Sequence, residues 1–136
     1  AWSALLDAVH RLGRVPAGFV IHSYSGSAEM LAPLAEAGAC FSFSGSITRP
    51  GNRRGHESAR AVPLDRLLIE TDAPDIMPLI PPAAAPPGSR QAQGINEPAN
   101  LPLVLAKIAE LRGMPAEELA GRIWENSCRL FGPRPG

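Results

Sequence analysis

Three short apolar runs, each ending in a polar loop and separated from the next by a helical pattern, constrain this chain more than any other feature of its sequence. Gly18-Phe19-Val20-Ile21-His22 is the first, and its apolar core predicts a strand buried on both faces. Ala39-Cys40-Phe41-Ser42-Phe43 is the second, and Leu67-Leu68-Ile69-Glu70 the third. Between the first two, Met30, Leu31, Leu34 and Ala35 recur at helical spacing until Gly38. Between the last two, a polar, Gly-rich stretch from Arg49 to Gly55 leads into a short helix around Glu57 to Ala61. Pro63 and Asp65 then mark a turn. Strand, helix, strand, helix, strand predicts a parallel α/β architecture, in which the loops after the strands carry the chemistry.

The flanks are helical. Trp2, Leu5, Leu6, Val9 and Leu12 recur at spacings of three and four, which places them on one face of an opening helix that Gly13 stops. The chain starts inside this pattern and without a Met, and the reading at this level is that an N-terminal portion is missing. From Ala73 to Gly94 the composition is dominated by Pro, Ala and Gly. So long a stretch without elements of its own reads as a lid or binding loop, or else as a linker. Two helices follow, from about Pro98 to Arg112 and from about Pro115 to Leu130. Leu101, Val104, Leu105, Ile108 and Leu111 form the apolar face of the first, and Leu119, Ile123, Ser127 and Leu130 mark that of the second.

Composition narrows the function classes. With 136 residues and 45% hydrophobic side chains there is material for one sizeable core. Thirteen basic and thirteen acidic residues cancel, so bulk charge makes no case for nucleic acid or an anionic membrane, and phosphate recognition must come from local residues. No apolar run approaches the roughly 20 residues that span a bilayer. The opening residues lack a signal-peptide pattern, so a cytoplasmic location is expected. Cys40 and Cys128 have no Cys or His partner at metal spacing and read as two buried free thiols.

His22 ends one predicted strand and Asp72 lies just past another, on the face where parallel barrels gather catalytic groups. An imidazole and a carboxylate from different strand ends make a plausible pair of ligands for Zn²⁺, Mn²⁺ or Mg²⁺. By spacing alone a structural His and a turn-opening Asp fit equally well. Glu70 and Asp72, two residues apart, share a side if the strand continues, and two like charges there need a cation or donors to compensate. His56, beside Arg53 and Arg54, reads as a solvated loop residue, and His10 as a surface residue of the opening helix. Ser25-Gly26-Ser27 and Ser44-Gly45-Ser46 echo one another after two strands. They are either anion-binding loops or ordinary cap and turn residues. Arg49, Arg53, Arg54 and Arg90 could add phosphate contacts there.

Taken together, several of these segments resemble the TatD family of metal-dependent deoxyribonucleases, which are (β/α)₈ barrels. The matching strings are Ile21-His22-Ser23-Tyr24-Ser25-Gly26-Ser27, Phe41-Ser42-Phe43-Ser44-Gly45, and Leu67-Leu68-Ile69-Glu70-Thr71-Asp72-Ala73-Pro74. Asn96-Glu97-Pro98-Ala99-Asn100-Leu101, the Ile108 to Gly113 helix end, and Asn126 with Leu130-Phe131-Gly132 extend the match along nearly the whole chain. The resemblance implies that His22 and Asp72 belong to a site for one or two divalent ions (Mg²⁺, Mn²⁺ or Zn²⁺) and that Asp72 also accepts a proton from the attacking water. It implies Glu70 as a supporting partner, and Ser25, Gly26, Ser27, Ser44 and Gly45 as holders of the scissile phosphate or its neighbours. The implied reaction is metal-assisted hydrolysis of a phosphodiester, with DNA or a related phosphoester as substrate.

Members of that family begin with a strand bearing a His-x-His pair and take a Glu and another His from middle strands, and none of these strings occurs here. The expectation is therefore a partial barrel: residues 1–136 as the C-terminal half, roughly strands six to eight with their helices, the N-terminal half being absent. Such a chain needs a separate N-terminal half or self-association to cover its sheet edges. Two other readings stand beside it. One is a related metal-dependent hydrolase acting on a small ester, amide or lactone, and the other a non-catalytic half-barrel serving as an interaction module.

Overall fold

A computed structural model describes residues 2–13, 15–80, 88 and 93–132. Along the chain run helix α1 (Trp2–Leu12), strand β1 (Phe19–Ile21), helix α2 (Leu31–Glu36), strand β2 (Ala39–Phe43), helix α3 (Arg53–Ala61), strand β3 (Leu67–Ile69), helix α4 (Leu101–Arg112) and helix α5 (Ala116–Phe131). The strands form one parallel sheet in sequence order, β1-β2-β3. Val20 lies opposite Cys40, and Ser42 opposite Leu68. Each loop after a strand therefore opens at the same end of the sheet, as the alternation of elements predicts.

The two faces of the sheet differ because side chains alternate along a strand. Ala39, Phe41, Phe43 and Leu67 turn to the helices and join Leu34, Ile47, Val62, Val104, Ile108 and Leu119 in the core. Val20, Ser42 and Leu68 line the opposite face, which forms one wall of an open cavity of about 370 Å³. At the turn from α2 into β2, Gly38 has φ +107, and a Cβ there would stand 2.7 Å from the Val15 carbonyl oxygen. No other residue meets both conditions without strain.

The elements depart from expectation in instructive places. All three residues of β1 are half-buried rather than buried on both faces, because β1 is an edge strand among the described residues. Leu12 follows the apolar period of α1 but is 77% exposed at the helix end among the described residues. Helix α3 begins at Arg53, four residues earlier than expected, because Asn52 caps it: its side-chain oxygen accepts the Gly55 N–H at 3.1 Å. That start turns His56 from a loop residue into a helical one, half-buried, with Nε2 2.9 Å from the Ile47 carbonyl oxygen. Cys40 is buried, but Cys128 is only half-buried.

Candidate metal centre and its loops

The end of the sheet brings together three side chains that lie up to 50 positions apart. The His22 ring is clasped from both sides, with Nδ1 2.7 Å from Glu70 Oε2 and Nε2 2.9 Å from Asp72 Oδ1. Glu70 continues β3 by one residue, its N–H donating to the Phe43 carbonyl at 3.0 Å, and so points to the cavity face. Asp72 arrives by a different route. The strand has ended at Ile69, and Asp72 adopts φ +60, a left-handed conformation that swings its carboxylate back over His22. His22 thus supplies the donors that the paired carboxylates need.

The electrostatics follow from this clasp. The bond to Asp72 is the largest influence and raises the His22 pKa above its ordinary 6.5. Partial desolvation opposes the rise, and the charge of Glu70 adds to it. Ser42 donates its hydroxyl to Glu70 Oε2, while Glu70 Oε1 is buried and has no hydrogen-bond partner among the described residues. An orphaned carboxylate oxygen in this position suits a further donor or cation.

The donor set fits a divalent ion in part. An imidazole nitrogen and a carboxylate oxygen 2.9 Å apart can both reach one ion at ligand distances of about 2.0–2.2 Å. Among the described residues, however, no group of three or more His, Cys, Asp and Glu side chains is arranged to hold one. With Nδ1 of His22 engaged by Glu70, that carboxylate fixes the ring and leaves Nε2 as the coordinating atom.

The loop that carries Asp72 is held from beneath by Asn96, which is 3% exposed. Its amide nitrogen donates to the carbonyls of Thr71 (2.6 Å) and Asp75 (2.7 Å), and lies 3.3 Å from that of Ile76. Its oxygen accepts from the Glu97 N–H and from the Asn100 side chain, both at 2.9 Å. Asn126 does the same lower down, donating to the carbonyls of Leu64 and Leu67 at 2.8 Å each. Ser42, Asn96 and Asn126 are buried polar supports of Glu70, of the Asp72 loop and of the start of β3 that residue-by-residue reading passes over. The available signal was a polar residue inside an apolar run, and the Asn residues within the strings that carry the family resemblance.

The two Ser-Gly-Ser loops separate in role. Ser25 is exposed, whereas Gly26 is buried beneath the Tyr24 ring and gives its carbonyl to the Ser58 hydroxyl at 2.9 Å. Ser27 gives its carbonyl to the Tyr24 phenol at 2.7 Å, and its hydroxyl bonds Glu29. Ser44, 1% exposed, lies 2.9 Å from the Ser23 hydroxyl and 3.4 Å from that of Ser46. Gly45 is buried where the chain after Asp72 crosses it: a Cβ would stand 2.2 Å from the Ile76 carbonyl oxygen. Arg49, Arg53 and Arg54 are exposed, whereas Arg90 and much of the Pro-rich stretch fall outside the described residues. No described helix is long and apolar enough to cross a membrane.

Known proteins share much of this sequence and fold. The chain is 34% identical over 119 residues to the uncharacterized metal-dependent hydrolase YabD of Bacillus subtilis, covering 88% of this chain and 43% of that protein. It is 39% identical over 118 residues to the 3'-5' ssDNA/RNA exonuclease TatD of Pantoea vagans, covering 85% and 42%. The crystal structure of YJJV, a TatD homolog from Escherichia coli, superposes with a TM-score of 0.78 at 29% identity, over 98% of this chain and 47% of that one. The chain thus spans less than half the length of these relatives. The model of the TatD-related DNases matches residues 1–132, and the chain belongs to that family.

Proposed function

We propose that this chain forms the last three strand–helix units of a TatD-type (β/α)₈ barrel that hydrolyses phosphodiester bonds of DNA with one or two divalent ions. The observation that carries the reading is the clasp of His22 by Glu70 and Asp72 at the C-terminal end of parallel strands. The share of the relatives' length that the chain covers, and the edge positions of β1 and β3 among the described residues, support its assignment to part of a barrel.

In this reading His22 Nε2 and Asp72 hold the ion, which when bound lowers the pKa of a coordinated water and neutralises charge on the phosphoryl oxygens. Glu70 accepts the Nδ1 proton, fixes the ring plane and is itself fixed by Ser42. Asp72 has a second oxygen to receive a proton from the attacking water. Ser23, Ser25 and Ser46 line one rim and hold phosphate oxygens, with the buried Ser44 bracing Ser23 and Ser46 and with Gly26, Ser27 and Gly45 shaping the loops that present them. Remaining ligands come from a separate N-terminal half or a second subunit. Cytoplasmic nucleic acid is the corresponding substrate pool.

The test is calorimetric titration of the chain with Mn²⁺, alongside His22→Ala and Asp72→Ala. One or two ions bound by the parent chain and weakened at least tenfold by either substitution is the expected result. Binding that both variants retain would refute the assignment of His22 and Asp72 as ligands, whereas no binding by the parent chain would make it an inert half-barrel, with the hydrolase reading left only to a longer protein.

A further inference from the structure

Regular pairing does not account for the residues that follow β1. A parallel ladder engages every second N–H of a strand. The Phe19 N–H donates to the Gly38 carbonyl at 3.3 Å, and Val20 and Ile21 lie opposite Cys40 and Phe41. Continued in that register, the Ser42 carbonyl would accept from the Ser23 N–H. Instead it accepts from Tyr24, at 2.8 Å, while the Ser23 N–H faces the Ser42 hydroxyl at 3.4 Å. One residue is therefore extra on this strand, a bulge of the kind that re-aims a side chain beside a site.

Side-chain alternation leads to the same conclusion. Phe19 and Ile21 pack on the core and Val20 lines the cavity, so an unbroken strand would set both His22 and Tyr24 on the cavity face. Tyr24 is buried in the core instead, its ring centroid 5.0 Å from that of Phe41 and its phenol donating to the Ser27 carbonyl at 2.7 Å. In a regular strand, either the phenol would leave the core or the imidazole would leave the clasp.

Ser23 absorbs this mismatch. Its φ is +47, a left-handed conformation that Gly, Asn and Asp adopt far more readily than other residues. Its hydroxyl lies 2.9 Å from that of Ser44, which is buried just past the end of β2. The Ser42 hydroxyl that its N–H faces also donates to Glu70 Oε2, the atom that holds His22 Nδ1. One side chain thus ties the bulge to the carboxylate that fixes the ring. We infer that Ser23 is a positioning residue, whose left-handed bulge aims the His22 ring between Glu70 and Asp72. This role is carried by the backbone conformation and not by the hydroxyl. Its bearing on metal binding rests on the reading of His22 as a ligand, whereas the aim of the ring does not.

The test follows the isotopically labelled chain by NMR beside Ser23→Gly, Ser23→Asn and Ser23→Val, with Mn²⁺ affinity measured by calorimetry. In the parent chain the Tyr24 amide should exchange slowly and the Ser23 amide fast, and the His22 ring should show NOEs to the Glu70 and Asp72 side chains. Gly and Asn tolerate the left-handed conformation and should keep the ring NOEs. Branched Val should lose them and weaken Mn²⁺ binding by about tenfold. A merely structural role would lower the unfolding midpoint and leave the ring NOEs in place. Where Ser23→Val does not fold, Ser23→Ala takes its place, because it lacks the hydroxyl as Gly does and differs only in disfavouring positive φ. Slower exchange at Ser23 than at Tyr24, ring NOEs that Val (or Ala in its place) retains, or a Gly variant that loses them would overturn the positioning role. In a parent chain that binds no Mn²⁺, the same NOE pattern would uphold the aiming of the ring, and only the metal reading of this chain would fall.

Discussion

Replacing Asn96 by Ala tests whether the Asp72 loop is held by its own chain. Asn96 is 3% exposed, and its side chain makes strong bonds to the Thr71 and Asp75 carbonyls and to the Glu97 and Asn100 donors. A buried polar group stripped of its partner costs about 1–3 kcal/mol, and a net hydrogen bond between neutral groups contributes only about 1 kcal/mol. Part of the loop is exposed, so water can reach some of the freed carbonyls. The Asn100 amide, in a residue 7% exposed, keeps only a long contact to the Met77 sulfur at 3.9 Å. The expected destabilisation is therefore about 3–4 kcal/mol, a large share of the roughly 5–15 kcal/mol typical of a whole domain. Asn96→Asp separates the two halves of the network. Its carboxylate can still accept from Glu97 and Asn100 but sets a negative oxygen against the Thr71 and Asp75 carbonyls, so it should be no more stable than Asn96→Ala. Urea unfolding of the three proteins measures the first expectation, and Mn²⁺ affinity, weakened in both variants as Asp72 loses its support, measures the second. A loss below 1 kcal/mol in Asn96→Ala, or an Asn96→Asp protein close to the parent, would show that the loop does not depend on these bonds.

Two further outcomes follow from burial and close approach. Tyr24 is the chain's only tyrosine, and burial, aided by Glu29, pushes its pKa from 10.0 to about 12. Its phenolate absorbance should therefore appear with a midpoint near 12. Because the folded value lies above the unfolded one, its contribution to stability is complete below pH 10 and is lost as pH rises towards about 12, by on the order of 2–3 kcal/mol. A midpoint near 10 in the folded chain would contradict the burial of this ring. Gly45→Ala places a methyl 2.2 Å from the Ile76 carbonyl oxygen and 2.7 Å from the Pro78 nitrogen, both main-chain atoms. It should cost about 1–3 kcal/mol of stability and weaken Mn²⁺ binding through the displaced Asp72 loop, whereas an unchanged urea midpoint would refute the close approach.

The sequence by itself determined the order of elements, the parallel sense of the sheet and the end of the sheet at which the candidate residues gather. Each of these rests on local information: apolar runs of strand length, apolar residues at helical spacing, and glycines where a helix must stop. The same reading placed His22 and Asp72 at strand ends and paired them as candidate ligands, but it did not show that Glu70 and Asp72 clasp opposite nitrogens of one ring. It missed the longer α3 because Asn52 acts through a single side-chain bond, and it set Leu12 on the apolar face of α1 although periodicity does not say where neighbours end. Only the tertiary structure decided that Ser42 steadies Glu70 and that Asn96 underpins Asp72. Likewise, it showed that the two echoing Ser-Gly-Ser loops each bury their glycine, with Ser25 exposed and Ser44 buried. The physical reason is that backbone propensity and hydrophobic period are properties of neighbours in sequence. Satisfaction of a buried amide or carboxylate is a property of whichever distant carbonyls the fold delivers to it.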